Sequence, residues 1–174
     1  MLPVVPIFHC YAWGTPYTAA MVGCTLVLPG PGLDGGSLVQ LIDEYKVSIA
    51  LGVPTIWQGL LLAAKATNSS LPSLKRNVIG GSACPPAMMK TFRDVYDCET
   101  IHAWGMTETS PLGSLNQLKA KHNTLSDDEK LKVRLSQGRP PFGIEIRITE
   151  QEQGLIAQPN DGEASGNLQI RGHW

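Results

Sequence analysis

Short apolar runs alternate with amphipathic helical segments over the first hundred residues, and this alternation limits the folds that the chain can adopt. The strand-like runs are LPVVPIF, CTLVLP, VSIALGV, KRNVIGG and ETIHAW. The helical segments between them are PYTAAMVG, SLVQLIDEYK with Ser37 as the expected N-cap, Thr55 to Ala66, and PPAMMKTFRDVY. Because crossover helices join parallel strands, the pattern predicts an α/β fold whose parallel sheet is covered on both faces.

The pattern changes after about residue 116, where the parallel α/β portion (1–116) is predicted to end. Leu112 to Thr124 is polar and is predicted to be irregular. Ser126 to Glu129 spells S-D-D-E, a capping box that predicts a short helix to about Leu135. The runs GRPPFGIEIRI and GNLQIRGHW predict antiparallel strands. Residues 117–174 are therefore expected to form an irregular segment, a short helix and a strand-rich end.

Charged residues are scarce and unevenly placed. They make up 17% of the 174 residues, against about 25% in a typical soluble domain, and none lies between Met1 and Leu33. We expect this uncharged stretch to be covered by more protein. The uncharged run from Val47 to Ala64 is interrupted by Gly52 and Pro54, so no transmembrane segment is predicted. A net charge of −1 argues against a nucleic-acid partner.

The N-terminus and the cysteines give a prediction of compartment. No basic segment precedes an apolar run at the N-terminus, so no secretory signal is predicted. Cys10, Cys24, Cys84 and Cys98 show neither CxxC spacing nor zinc-site spacing, which is typical of reduced thiols. We expect a cytoplasmic protein. An organelle matrix stays open as an alternative, since targeting signals can lie outside these residues.

Two strand-to-loop transitions carry the residues most suited to chemistry, Val78 to Pro86 and Ile101 to Thr109. In a parallel sheet both lie at the carboxyl edge, where ligands bind. Trp104 could stack on a base, Thr107 could donate to a phosphate oxygen, and Glu108 offers a hard ligand for Mg²⁺. A core tryptophan, a helix-capping threonine and a solvated glutamate explain the same residues at least as well on composition alone.

Gly30 to Gly35 matches the dinucleotide-binding pattern G-x-G-x-x-G between a strand and a helix. The following strand runs into Gly52-Val53-Pro54 without the carboxylate that would hold a ribose. A plain strand-to-helix turn is therefore favoured, and a dinucleotide-binding oxidoreductase is the weaker alternative.

Five segments resemble, in order, motifs of the adenylate-forming superfamily of acyl-CoA synthetases, luciferases and peptide-synthetase adenylation domains. VPIFHCYAW at Val5 to Trp13 resembles the gate segment of fatty-acyl-CoA synthetases, GGSACPP the adenine loop, and WGMTET the Y-G-x-T-E signature. Gly138-Arg139-Pro140 with GIEIRI resembles G-R-P-x-P-G-x-E-x-R-I, and Gly162-Glu163 with LQIRG resembles G-E-L-x-V-R-G. The chain is most similar to medium- or long-chain fatty-acyl-CoA synthetases.

The resemblance implies roles for individual residues. The ATP/AMP-binding residues it implies are Gly81, Ser82, Ala83, His102, Ala103, Trp104, Gly105, Met106 and Thr107. The implied catalytic residues are Thr107 at the α-phosphate, Glu108 as the Mg²⁺ ligand, and His9 near the acyl carbonyl and the thiol entry path. Trp13 is implied to gate the fatty-acyl tunnel. Trp104 stands where most members have Tyr, which keeps the stacking face and loses the hydroxyl.

The resemblance also implies that residues 1–174 form a partial AMP-binding (adenylation) domain. The parent protein is expected to be a ligase that activates a medium- or long-chain fatty acid with ATP and Mg²⁺ and transfers the acyl group to CoA. The resemblance also allows the full-length protein to be a homodimer. The family's phosphate loop and catalytic Lys are expected outside the chain, so the chain alone is expected to be inactive. A non-catalytic adenylate-binding or interaction fragment is the alternative.

Overall fold

A five-stranded sheet organises the first 115 residues of the computed structural model, which describes Met1 to Trp174. Its strands, in spatial as well as chain order, are β1 (Leu2–Pro3), β2 (Ile49–Gly52), β3 (Arg76–Ile79), β4 (Glu99–Gly105) and β5 (Leu112–Leu115). The first four strands are parallel, and β5 is antiparallel to β4. The predicted α/β class with a mainly parallel sheet is confirmed.

Five helices connect or flank the strands. They are α1 (Cys10–Val22), α2 (Gly35–Glu44), α3 (Pro54–Thr67), α4 (Pro86–Tyr96) and α5 (Asp127–Leu135). Short 3₁₀ turns occur at Thr107–Thr109 and Ala120–His122. No helix has both the length and the apolar character needed to cross a membrane.

Local capping chemistry sets where two of these helices begin. The Asp34 side chain accepts hydrogen bonds from the Ser37 amide at 3.0 Å and from the Ser37 hydroxyl at 2.6 Å, so Asp34 caps α2. The expectation that Ser37 is the cap was wrong, because the carboxylate three residues earlier satisfies the free amides of the first turn. At α5 the capping box is confirmed: the Glu129 carboxylate accepts from the Ser126 amide at 2.8 Å.

Three strand predictions need correction. CTLVLP is not a strand; its backbone bonds to Met1, through Met1 N to Thr25 O at 2.8 Å and Val27 N to Met1 O at 2.9 Å, and to the end of α1 through Cys24 N to Ala19 O at 3.0 Å. LPVVPIF pairs only over Leu2–Pro3. Conversely, the start of the segment predicted to be irregular forms β5, because it folds back on β4 after a tight turn.

The two faces of the sheet differ in their cover. Side chains on one face, such as Ala50, Asn77 and Ile79, are completely buried, and the core there includes residues of α2, α3 and α4. Leu51 and Val78 point to the other face and remain partly exposed. The prediction of a sheet covered on both faces therefore holds for one face only. The strands carry apolar side chains on the second face as well, but no helix of this chain covers those side chains completely.

The C-terminal part forms a hairpin of β6 (Glu145–Thr149) and β7 (Asn167–Arg171), which pair antiparallel as predicted. Alternating residues of β6 are exposed, which fits a sheet with one solvated face. Arg171 and Glu145 stand opposite each other at one end of the hairpin and form an ion pair at 2.5 Å. A single bridge from Leu115 to Arg139 links β5 to the segment before the hairpin.

A buried histidine joins β4 to two loops. The His102 ring is 2% exposed; its Nε2 accepts from the Cys84 amide at 3.3 Å and lies 3.2 Å from the Gln137 side-chain nitrogen. Burial lowers the pKa of His102 below its ordinary value, because the charged ring would lose its hydration. The neutral ring thus acts as a fixed acceptor for the loop that contains Cys84.

The lowered pKa of His102 predicts a pH dependence of stability. We expect the free energy of unfolding to fall as the pH drops below about 6.5, since the unfolded chain then binds a proton that the buried ring resists. Urea unfolding between pH 5 and pH 8 measures this. His102→Gln keeps an acceptor but does not titrate, so its stability should change less over that range. If the free energy of unfolding changed equally with pH in the unmodified chain and in His102→Gln, His102 would not be the group responsible.

Candidate active site

The open face of the sheet ends in an apolar groove of about 290 Å³ at the carboxyl edge of the parallel strands. Three segments that are far apart in sequence line it: the His9–Trp13 turn, the Gly80–Gly81 loop and the end of β4 from Ala103 to Met106. Leu51 and Val78 form part of its floor. The fold therefore brings together the N-terminal segment and both strand-to-loop transitions that the sequence singled out.

The first wall is a left-handed turn. Cys10, Tyr11, Ala12 and Trp13 have φ between 47° and 58°, and Gly14 follows at 73°. For residues other than glycine this backbone conformation costs about 1–2 kcal/mol each in free energy, so contacts with the rest of the structure must stabilise it. Strain of this kind clusters at binding sites, and here it lies directly at the groove.

Two contacts hold this turn against the rest of the site. The Trp13 indole packs on Gly80, where an added Cβ would lie 3.1 Å from the ring and 3.2 Å from the Ala103 carbonyl oxygen. The Cys10 sulfur lies 3.5 Å from the Thr107 hydroxyl. A side chain at position 80 would displace the indole, so the glycine is what allows the tryptophan to reach the strand edge.

The loop after β3 presents backbone to the groove. Gly81 has φ 79°, and a Cβ there would approach Val53 at 3.0 Å, so glycine is required for both conformation and space. Gly81, Ser82 and Ala83 are exposed, but only Gly81 lines the groove. Cys84 is buried, and burial raises the pKa of its thiol to about 11. Cys84 therefore packs as a small apolar side chain with a protonated, unreactive thiol.

The end of β4 supplies the second wall. Trp104 is half-buried with its ring packed over Gly113 of β5, and the pairing of β4 with β5 shifts register between Trp104 and Gly105. Such a bulge changes the direction in which the following residues point. Trp104, Gly105 and Met106 line the groove, and Thr107 and Glu108 of the following turn are exposed beyond it.

The turn after β4 holds the candidate phosphate and metal residues. Thr107 and Glu108 are exposed, whereas Thr109 is buried and its hydroxyl accepts from the Met106 amide at 3.0 Å. No group of three His, Cys, Asp or Glu side chains is arranged to hold a metal. Glu108 alone fits Mg²⁺ bound mainly by phosphate oxygens and water, which is how proteins commonly bind this ion with nucleotides.

The structure thus separates the predicted site residues into two groups. His9, Trp13, Gly81, Ala103, Trp104, Gly105 and Met106 line the groove. Ser82, Ala83, Thr107 and Glu108 lie outside its lining, with Thr107 tied to it through Cys10. The His102 ring points to the opposite, helix-covered face, so only its backbone is available to the groove side.

Sequence reasoning did not single out three residues that shape the site. Cys10 contacts Thr107, Val53 packs against Gly81, and Thr109 holds the turn that presents Glu108. A signal for Thr109 was present in its residue type, since threonine side chains in turns often hydrogen-bond to the nearby backbone. Nothing in the sequence pairs Cys10 with Thr107, which are 97 residues apart.

Comparisons with known proteins place the chain in a family. The family described as AMP-binding enzyme matches residues 1–174. The chain is 59% identical to a medium-chain-fatty-acid–CoA ligase of Ectopseudomonas oleovorans and 57% identical to a 3-methylmercaptopropionyl-CoA ligase of Ruegeria pomeroyi. Each match covers 100% of this chain and 32% of the relative, so the chain spans about a third of their length.

Solved structures show the same fold at lower identity. A long-chain-fatty-acid–CoA ligase of Archaeoglobus fulgidus superposes with a TM-score of 0.80 at 22% identity, over 98% of this chain and 33% of that one. O-succinylbenzoate–CoA synthetase of Bacillus subtilis, solved with ATP and magnesium ion, gives 0.75 at 24% identity, over 98% and 32%. With the family match over every residue, these results establish that the chain belongs to the AMP-binding enzyme family.

Proposed function

We propose that this chain forms the acyl- and adenylate-binding groove of a longer fatty-acid–CoA ligase. That enzyme would activate a medium- or long-chain fatty acid with ATP to acyl-AMP and then transfer the acyl group to CoA. The observation that carries the proposal is the position of the apolar groove against Gly81 and Trp104, with the Thr107–Thr109 turn joined to its lining through the Cys10–Thr107 contact. An apolar acid in the groove would present its carboxylate to a phosphate held by that turn.

The groove supports an apolar acid over an amino acid or a charged acid. No lysine, arginine, aspartate or glutamate lines it, and Leu51, Val78 and Leu115 supply aliphatic surface. Burying an acyl chain there is favourable by about 0.8 kcal/mol per methylene. Relatives named for a medium-chain fatty acid and for 3-methylmercaptopropionate both act on acids without a second charge, and the proposal extends to the same class.

In the proposed reaction, the fatty-acid carboxylate attacks the α-phosphorus of ATP and pyrophosphate leaves. The thiol of CoA then displaces AMP from the acyl carbonyl. Thr107 would donate its hydroxyl to the α-phosphate and Trp104 would stack on adenine. His9 would face the acyl carbonyl and the thiol path. Glu108 would hold Mg²⁺, which neutralises phosphate charge when bound.

Trp13 is proposed to gate the acyl path. Its indole reaches from the strained turn to Gly80, at the start of the loop after β3, and a gate at this point would control passage along the groove. A turn whose conformation costs free energy at several residues can change with a small gain in contacts elsewhere. Binding of a nucleotide beside Trp104 would supply such contacts.

A homodimeric, cytoplasmic enzyme at full length remains part of the proposal, on the strength of the family resemblance.

Glu108 gives a direct test of the metal role. In the protein at full family length, Glu108→Gln should lower acyl-AMP formation about 10²-fold or more, because it removes a preorganised charge contact in the transition state. ATP–pyrophosphate exchange at several Mg²⁺ concentrations measures the loss. Glu152→Gln, an exposed carboxylate on the C-terminal loop, is the matched control and should keep its rate. Unchanged exchange at limiting Mg²⁺ in Glu108→Gln would refute the assignment.

Trp13 is tested by substrate selection. Trp13→Ala at full family length should broaden chain-length preference and raise ATP hydrolysis that yields no thioester, since the two sites are then no longer separated. A panel of straight-chain acids that includes 3-methylmercaptopropionate reports kcat/KM for each. Trp174→Ala removes an indole outside the groove and should leave the preference unchanged. If Trp13→Ala lowers only the melting temperature, the residue is a core packing residue.

The 174-residue chain alone is expected to form no acyl-CoA. Its groove contains no cationic side chain that could stabilise the β- and γ-phosphates, and groups acting together in phosphate chemistry are strongly non-additive. Weak AMP binding through Gly81 and Trp104 should persist, because stacking needs only local geometry. A thioester assay and calorimetry with AMP measure the two properties. Sustained formation of acyl-CoA by the 174-residue chain would show that the phosphate loop and the catalytic Lys expected outside it are not needed.

A further inference from the structure

A second cavity, of about 420 Å³, lies at the opposite edge of the sheet from the apolar groove. It opens between α4 and α5 at the first residues of β3 and β4, and we call it the basic cavity. Its cationic lining residues are Lys75, Arg76, Arg93, Lys130 and Arg134. The seven residues of β4 separate the two edges by about 20 Å at the usual rise per residue. Its size is within the usual range for small-molecule sites.

The least exposed ionic side chains of the basic cavity are cations and the most exposed are carboxylates, with Glu99 between them at 40% exposed. The side chains of Arg134, Lys130 and Arg93 are 20%, 29% and 34% exposed. The carboxylates of Asp127 and Asp97 are 80% and 92% exposed. Charges in the less solvated position are screened less, so the inner cations determine the local potential.

Several of these cations are incompletely paired. Lys130 Nζ lies 3.9 Å from its nearest carboxylate oxygen, on Asp127, which is beyond hydrogen-bonding distance. Arg76 Nε lies 3.6 Å from Glu99. Arg134 is anchored, with one nitrogen 2.8 Å from Glu99 and another 3.2 Å from the Thr100 carbonyl oxygen. The cavity thus combines the fixed guanidinium group of Arg134 with the ammonium group of Lys130, whose N–H donors are free to bind a ligand.

The wall of the cavity also has an unpaired buried hydroxyl. Thr100 lines the cavity and is 3% exposed, yet its Oγ1 has no hydrogen-bond partner. Asn77, its register partner on β3, is completely buried and leaves its side-chain nitrogen unpaired as well. Unsatisfied buried polar groups are rare and costly, and a bound ligand is one way to satisfy them.

We propose that the basic cavity is a binding site for a small phosphate-bearing molecule. Lys130 and the anchored Arg134 would contact the phosphate oxygens, and the Thr100 hydroxyl would donate an inner hydrogen bond. Arg93 is held by Asp94 at 2.5 Å and would add positive charge beside them. Phosphate is favoured over a single carboxylate because the lining has five cations against three carboxylates, and with Asp94, which pairs with Arg93, the net charge is still +1. The site is separate from the proposed ligase groove, so its occupancy does not depend on that function.

The test is calorimetric titration of the chain with inorganic phosphate and pyrophosphate at constant ionic strength, with EDTA present and acetate as the singly charged comparison. We expect saturable binding of one phosphate or pyrophosphate and a raised melting temperature. Lys130→Gln should weaken binding about tenfold or more, because it removes a charged hydrogen-bond donor. Lys132→Gln, on the exposed side of the same helix, is the matched control and should bind normally.

A second variant separates ligand binding from folding. Thr100→Val keeps the shape of the side chain and removes the unpaired hydroxyl, so the ligand-free melting temperature should stay the same or rise while phosphate binding weakens. Absence of saturable phosphate binding, or binding that neither Lys130→Gln nor Thr100→Val weakens, would overturn the proposal.

Discussion

The parallel pairing of β2, β3 and β4 is the constraint on which the rest of the site depends. Gly52, Ile79 and His102 stand in register, so all three strands end at one edge. Backbone hydrogen bonds along these strands fix that alignment without any side chain of the site. Residues that lie tens of positions apart in the chain therefore meet at one groove, and their loops are free to carry chemistry.

Helices packed on one face of the sheet hold this arrangement in place, and the groove lies on the open face. Trp57, Phe92 and Met89 are buried under the sheet with their neighbours, and from the same face His102 links β4 to the loop that contains Cys84. The opposite face keeps aliphatic side chains accessible to a ligand. A single sheet thus separates the residues that provide stability from those that would bind an acyl chain.

The sequence predicted what depends on local pattern and on familiar motifs. The helices at Pro54 and Pro86, the capping box at Ser126 and the C-terminal hairpin followed from residue type and periodicity. Strand β5 was missed because its pairing is decided by tertiary contact with β4. The left-handed turn at the groove was also missed, since residues such as Tyr11 and Trp13 avoid that conformation unless distant contacts impose it. The orientation of His102 needed the structure for the same reason.

The account rests on an acyl-adenylate binding in the apolar groove, and Cys10 provides the most direct measurement. Cys10 lines the groove and is partly exposed, while Cys24 is partly exposed and lies outside it. Alkylation of both thiols by iodoacetamide, followed by peptide mass spectrometry, is measured with and without a non-hydrolysable acyl-sulfamoyl adenosine. The account predicts that a saturating analogue protects Cys10 and leaves the Cys24 rate unchanged. Equal rates at Cys10 with the analogue bound and absent would contradict it.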